Sequence, residues 1–143
     1  MSTSLITPFM SITVGATIIS VVTIASGGAF LLRVVTGNHE ANGLQKSFFR
    51  AGHAHAGVLV MLGLLLSVVG NAAGASPAVA NGGAIAVLLA AIMMPAGFFL
   101  SVLGRNPARP NRMIASVWLG ATLLIAGVLT SGVATLIAGI DRI

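Results

Sequence analysis

The sequence predicts an all-α integral membrane protein in which four transmembrane helices form a bundle and both termini face the non-cytoplasmic side. Composition gives the first reason: 57% of the 143 residues are hydrophobic, and only two acidic and seven basic residues occur. A soluble domain of this size needs far more charge on its surface. The second reason is distribution, since polar residues gather in short stretches between long apolar runs, with basic residues at the ends of those runs.

The first predicted helix covers residues 9–33. No charged residue precedes Arg33, and about 20 apolar residues are enough to span a bilayer. Because no basic segment precedes this run, we expect it to stay in the membrane rather than act as a cleaved signal. Small residues let another helix approach closely, and we expect those of this helix to serve packing. They are Gly15, Ala16, Ser20, Ala25, Ser26, Gly27, Gly28 and Ala29.

The second and third helices share a region without Asp, Glu, Lys or Arg between Arg50 and Arg105. This region is too long for one span. Residues between Gly70 and Gly83 are rich in turn formers, which divides the region in two. The predicted second helix is therefore 47–70 and the third is 83–104.

The fourth predicted helix covers residues 112–140 and follows a compact basic loop with two prolines. Pro95 lies inside the third helix, where proline removes a backbone hydrogen bond. We therefore expect a local kink at this position. The whole chain is predicted to be one four-helix domain.

Loop charge predicts the orientation. The first and third connections each carry three Lys or Arg residues and the second carries none, so the first and third are expected in the cytoplasm. These six residues are Arg33, Lys46, Arg50, Arg105, Arg109 and Arg112. We expect a multi-pass protein of the cell inner membrane whose basic residues meet the lipid bilayer. The charge pattern indicates no nucleic-acid partner.

The most informative stretch for function is His53-Ala54-His55 in the second helix. At ~100° per residue the two imidazoles point in nearly opposite directions, so they cannot chelate one ion from a regular helix. A metal or haem site would need a further ligand, either His39 or a histidine of a neighbouring subunit. His55 lies ~7 Å deeper than Arg50, where an ionisable group is costly.

Two interpretations of these histidines stay open. In the functional interpretation, a histidine is a metal ligand, a haem ligand or a proton-handling group. In the other interpretation it is structural. In the structural interpretation His53 reaches the lipid headgroups, whereas His55 donates a hydrogen bond to a backbone carbonyl of a facing helix.

Several features occur in a fixed order: a basic first connection, Arg50-Ala51 followed by His55, Pro95 in the third helix, and Arg112 opening a helix that contains Trp118. This order resembles the MAPEG family, the membrane-associated proteins in eicosanoid and glutathione metabolism, over roughly residues 33–125. The resemblance implies a homotrimer with sites between subunits. It also implies a thiol-dependent transferase or isomerase acting on a lipophilic substrate, with Arg50 and Arg112 holding an anionic cosubstrate, which in that family is glutathione.

The chain departs from that family at three positions. Gly57 stands where the family has a glutathione-binding Glu, and Met93 and Ala90 stand where it has a Tyr and an Arg. The stretch Gly52 to Gly57 is also similar to histidine-bearing helices in the large subunits of heme-copper oxidases and nitric oxide reductases. That second similarity implies that haem or a transition metal binds at this stretch.

Three functions remain as hypotheses, and the sequence assigns no catalytic residue. We favour a non-catalytic subunit, either of a homo-oligomer or as an accessory part of a larger membrane complex, because small residues suited to helix contacts are so frequent. The second hypothesis is a haem- or metal-binding, redox-associated protein that uses His55, His53 and His39. The third is a MAPEG-like enzyme.

Overall fold

The computed structural model describes residues 7–143, and over this range the chain forms four long α-helices. All four are long and apolar enough to cross a membrane. This confirms the all-α, four-helix prediction. The expectation that no signal is cleaved before α1 falls partly on residues 1–6, outside the described residues. The helices are α1 (Pro8–Val35), α2 (Gly43–Ala72), α3 (Pro77–Ser101) and α4 (Ala115–Ile140), the last preceded by a 3₁₀ turn at Arg112–Ile114.

The second helix begins at Gly43, earlier than the predicted residue 47, because its first turn is capped. The Asn42 side-chain oxygen accepts a hydrogen bond from the Gln45 backbone N–H (2.9 Å). In return the Gln45 side-chain oxygen accepts one from the Asn42 backbone N–H (3.0 Å). This reciprocal pair satisfies N–H groups that a helix start otherwise leaves unbonded. The helix therefore includes polar residues that were expected in the connection.

The third helix begins at Pro77, earlier than the predicted residue 83. Proline suits this first position because its fixed φ matches the helix and it has no N–H to leave unbonded. Asn81, predicted in a turn, instead lies in α3 and accepts a hydrogen bond from the Asn71 side chain of α2 (3.1 Å). Gly83 is also helical. The connection between α2 and α3 is thus much shorter than predicted.

The bundle is organised around α3, which packs against both α2 and α4, whereas α1 packs mainly on α2. One buried cluster joins α2 and α3 at the centre of the bundle. It consists of Leu59, Val60, Ala90, Ala91 and Met94. Because α1 takes so small a part in the core, much of its surface is left exposed.

Glycines allow α3 and α4 to pack backbone against backbone. A Cβ added at Gly83 would lie 2.9 Å from the Gly127 carbonyl oxygen and 3.1 Å from the Ser131 nitrogen, and would also overlap the Ser131 hydroxyl. Towards the other end of this seam, a Cβ at Gly97 would lie 2.6 Å from the Val117 nitrogen. Ordinary contacts begin at 3.4 Å, so these positions have no room for a side chain.

Polar side chains tie the first and third connections together at one end of the bundle. The Asn42 side-chain amide donates to the Asn106 side-chain oxygen (2.9 Å). The Gln45 side-chain amide donates to the carbonyls of Val102 and Gly104, each at 3.1 Å. We call this set of bonds the loop clamp. It brings the two basic connections to the same end of the bundle, as the charge pattern requires.

The carboxyl terminus meets the second connection at the opposite end. The Arg142 guanidinium lies against Gly74, which has φ +69° in the α2–α3 turn. A larger residue at this position would meet both a strained backbone and the guanidinium. The two ends of the bundle therefore differ in charge, with six Lys or Arg residues at one end and Asp141 and Arg142 at the other.

Helix α3 continues through Pro95, the position of the expected kink. Proline cannot donate a backbone hydrogen bond within the helix. Close by, the Ser116 hydroxyl at the start of α4 donates to the Met93 carbonyl (2.8 Å). The carbonyl that loses its donor at Pro95 is that of Ala91, four residues earlier, so the Ser116 bond is an additional link between α4 and α3.

Candidate histidine site on α2

His53 faces α1, where two consecutive glycines make room for its ring. A Cβ at Gly28 would lie 3.3 Å from His53 Cε1 and 3.4 Å from Nε2, and one at Gly27 would lie 3.5 Å from Nδ1. The imidazole therefore packs against α1 at the two positions that have no side chain. Within residues 7–143 the ring has no hydrogen-bond partner, and its side chain is only partly buried.

A cleft of about 270 Å³ opens beside this ring between α1, α2 and α3. We call it the His53 cleft. It has walls of small and apolar side chains, with Pro95 and Phe99 on the α3 side. The Phe99 ring is held by stacking on Phe49, with centroids 5.2 Å apart and planes at 19°. The result is a cleft with a rigid aromatic wall and one imidazole.

His55 points away from α1 and is oriented by its own helix. Its Nδ1 lies 2.7 Å from the Ala51 carbonyl oxygen, one turn earlier in α2. The structural interpretation expected a carbonyl of a facing helix, so the partner differs from that expectation. A carbonyl only accepts, so the Nδ1–H donates, which leaves the lone pair of Nε2 available. The ring also lies 5.1 Å from the Phe98 ring on α3.

His39 lies apart from both of these residues, in the exposed connection between α1 and α2. Its ring meets the edge of Phe30, with centroids 5.2 Å apart. Among the residues that the structure describes, no group of three or more His, Cys, Asp or Glu side chains is placed to hold a metal ion. The candidate metal ligands His39, His53 and His55 thus occupy three different surroundings.

The two candidate arginines lie at the end of the bundle that carries the loop clamp. Arg50 is exposed, and its Nε donates to the Lys46 carbonyl of its own helix (3.3 Å). Arg112 is exposed and opens the 3₁₀ turn before α4. Neither guanidinium lines the His53 cleft.

Sequence reasoning missed the residues that form this cleft with His53. It treated Gly27 as packing surface and expected a kink at Pro95. One signal was available, because the glycine pair in α1 and His53 in α2 lie at similar distances from the connection that joins their helices. A single sequence does not reveal which face of α1 meets α2.

Two further clefts flank the carboxyl-terminal half of α4, each of about 620 Å³. One lies between α3 and α4. The other lies between α2 and α4 and is lined by Gly132, Thr135 and Gly139 together with Leu66 and Val69. We call the second one the α4 groove. A Cβ added at Gly132 or Gly139 would meet no other described atom within 4 Å.

Neither a scan against protein-family models nor comparisons with curated proteins and solved structures found a match to this chain. Fold and site therefore define a class only: a four-helix protein whose helices are apolar enough to cross a membrane, with two differently oriented histidines on α2. The MAPEG resemblance stays a prediction.

Proposed function

We propose that the chain is a multi-pass protein of the bacterial inner membrane with both termini outside the cytoplasm. The lengths and apolar composition of the four helices support insertion. The orientation is supported by the gathering of six basic residues at the clamped end, because cytoplasmic loops carry an excess of Lys and Arg. At that end they would also meet anionic lipid headgroups.

Within that membrane, the proposed function is that of a subunit, either of a homo-oligomer or of a larger membrane complex. The observation that carries this proposal is the α4 groove. Surfaces that face only lipid gain nothing from glycine, whereas helix interfaces in membranes are enriched in small residues. Gly132 and Gly139 are spaced by seven residues, so they share one face of α4. The groove beside them has a volume of about 620 Å³, space into which side chains of another helix can pack.

Cysteine cross-linking tests this proposal directly, because the natural chain contains no cysteine. We would introduce Gly132→Cys or Gly139→Cys and oxidise in native membranes. The matched control is Ile12→Cys, an exposed position on α1 (72% exposed) outside the groove. A homo-oligomer through the groove gives disulfide-linked dimers at residues 132 and 139 and none at residue 12.

Other outcomes separate the remaining possibilities. Equal cross-linking at all three positions would mean random collision. The subunit role would be refuted if the chain has the size of one copy, forms no dimer, and purifies from native membranes without any other protein. A stoichiometric second protein would support the accessory form of the proposal.

A second candidate function, a haem- or metal-binding redox component, is favoured by the geometry of His55. An imidazole whose Nδ1–H is bound to a backbone carbonyl presents Nε2 as a fixed ligand atom, and such second contacts are typical of histidine ligands. The further ligands would have to come from another copy or a partner, which the subunit proposal supplies. An absorption spectrum and metal analysis of the purified protein, beside His55→Ala and a His39→Ala control, tests this function. A spectrum without haem bands and a metal content below one per oligomer would exclude it.

A further inference from the structure

The His53 cleft continues into a second cleft that runs along α1. The second one, of about 280 Å³, shares four lining residues with the first, two from α1 and two from α3. Together they extend along α1 from Gly27 to Ala16, which is roughly 16 Å at 1.5 Å per residue. The combined space is long and narrow and opens at the side of the bundle, where lipid would lie.

The two ends of this space differ in chemistry. The far end is lined by apolar residues such as Val60 and Leu88. Its hydroxyls are already engaged, since Thr17 donates to the Thr13 carbonyl and Ser20 donates to the Thr17 carbonyl, each at 2.7 Å. The far end therefore suits an apolar tail. The near end holds the imidazole.

Residues 7–143 give the partly buried imidazole of His53 no hydrogen-bond partner, which leaves its nitrogens able to bond to a ligand. In an apolar setting an unbonded polar group carries a free-energy cost, so a ligand that supplies an oxygen gains affinity. A neutral imidazole has one donor and one acceptor nitrogen. It can therefore donate to a carbonyl oxygen or accept from a hydroxyl, in a ligand that carries either group.

The remaining walls favour a flat, uncharged head. Phe99, stacked on Phe49, contributes an aromatic side chain to the cleft lining, and an aromatic or quinoid ring packs well against such a side chain. Two side chains of the described cleft lining carry a polar atom, those of His53 and Thr23. The Thr23 hydroxyl donates to the Ser20 carbonyl. No Lys or Arg lines the cleft, so an anionic head would lack a counter-charge.

We propose that the His53 cleft binds the ring of a lipophilic quinone, oxidised or reduced, whose apolar tail lies along α1 towards Ala16. This inference rests on the proposed membrane location, from which such a ligand enters sideways, and it does not depend on the oligomeric state.

The experiment measures binding of a decyl-tailed benzoquinone to the purified full-length chain in detergent micelles, corrected for partition into empty micelles. Two variants test the site: His53→Leu removes the hydrogen bond, and Ala56→Leu fills the cleft while keeping the imidazole. The matched control is Ala54→Leu, at an exposed position of the same helix that lies outside the lining. Circular dichroism confirms that each variant keeps its helices.

We expect one saturable site per chain. His53→Leu should raise the dissociation constant about tenfold or more, the equivalent of one hydrogen bond. Ala56→Leu should raise it as much because the added side chain occupies the cleft, and Ala54→Leu should leave it within about twofold. The inference is overturned by absence of saturable binding, by equal effects of all three variants, or by equal competition from decanoate, which would indicate an unspecific lipid groove. Carbonate extraction of membranes is done first. If carbonate releases the chain, the proposed membrane location is refuted. If the chain is retained but shows no saturable binding, only this inference is refuted.

Discussion

Replacement of Gly83 by alanine tests whether the α3–α4 seam is as tight as the structure has it. The new Cβ would lie 2.9 Å from the Gly127 carbonyl oxygen, against the 3.4 Å at which ordinary contacts begin. Relief of that overlap alone requires α4 to move away by 3.4 − 2.9, or about 0.5 Å. Because the atoms that are met belong mostly to backbone, no side-chain rotation can absorb the change. Overpacking of this kind costs about 1–3 kcal/mol.

The neighbouring Gly82 provides a matched control for this measurement. A Cβ at Gly82 would meet no other described atom within 4 Å. Both variants add the same methyl group to α3 and gain the same intrinsic helix propensity. The difference between Gly82→Ala and Gly83→Ala therefore isolates the overlap, and we expect Gly83→Ala to unfold more easily by about 1–3 kcal/mol.

The assay is unfolding by SDS in mixed micelles, followed by circular dichroism. A third variant that combines Gly83→Ala with Ser131→Ala should recover only part of the loss, since it removes the overlap with the hydroxyl and leaves that with the backbone. Equal unfolding of Gly82→Ala and Gly83→Ala would refute the close approach of α3 and α4.

Three further variants test other features. Gln45→Ala removes two hydrogen bonds of the loop clamp and one of the cap of α2, and it should lower the unfolding free energy by roughly 2–4 kcal/mol; an unchanged value in the same SDS assay would argue against the clamp. Ser131→Ala removes a buried hydroxyl that has no partner within residues 7–143, so stability should hold or rise by up to about 1 kcal/mol, and a clear loss would reveal a hidden partner. Arg50→Ala with Arg112→Ala should keep the oligomer size and should abolish any thiol conjugation that the parent shows; a parent activity that survives would exclude the MAPEG-like role.

Much of the fold was predictable because the membrane is a simple solvent. Long apolar runs and the basic residues between them were enough to predict four helices in the right order. The start of α2 was missed although Asn42 and Gln45 have the spacing of a capping box, because polarity was taken as the sign of a connection. The start of α3 was missed because the whole stretch between Gly70 and Gly83 was interpreted as an interruption between helices. In helices that pack this closely, glycine is instead what lets two backbones meet.

The site was less predictable because it depends on which faces meet. The helical period correctly separates the directions of His53 and His55. It does not reveal that α1 contributes Gly27 and Gly28 to the first, or that the carbonyl partner of the second lies on the same helix. The first fact depends on how α1 is rotated against α2, and nothing in one sequence fixes that rotation. The second depends on the side-chain conformation that His55 adopts.

The separation of the two histidines makes the functional hypotheses independent of each other. His53 lies against α1 and serves the proposed quinone cleft, whereas His55 lies against Phe98 on α3 and presents Nε2 for a cofactor. A single cofactor bound by both would require α2 to unwind between them, since a regular helix turns the two rings apart by ~200°. Single replacements therefore give different results for each hypothesis. Loss of quinone binding in His53→Leu with haem or metal content unchanged, and the reverse in His55→Ala, is the pattern that two separate sites require.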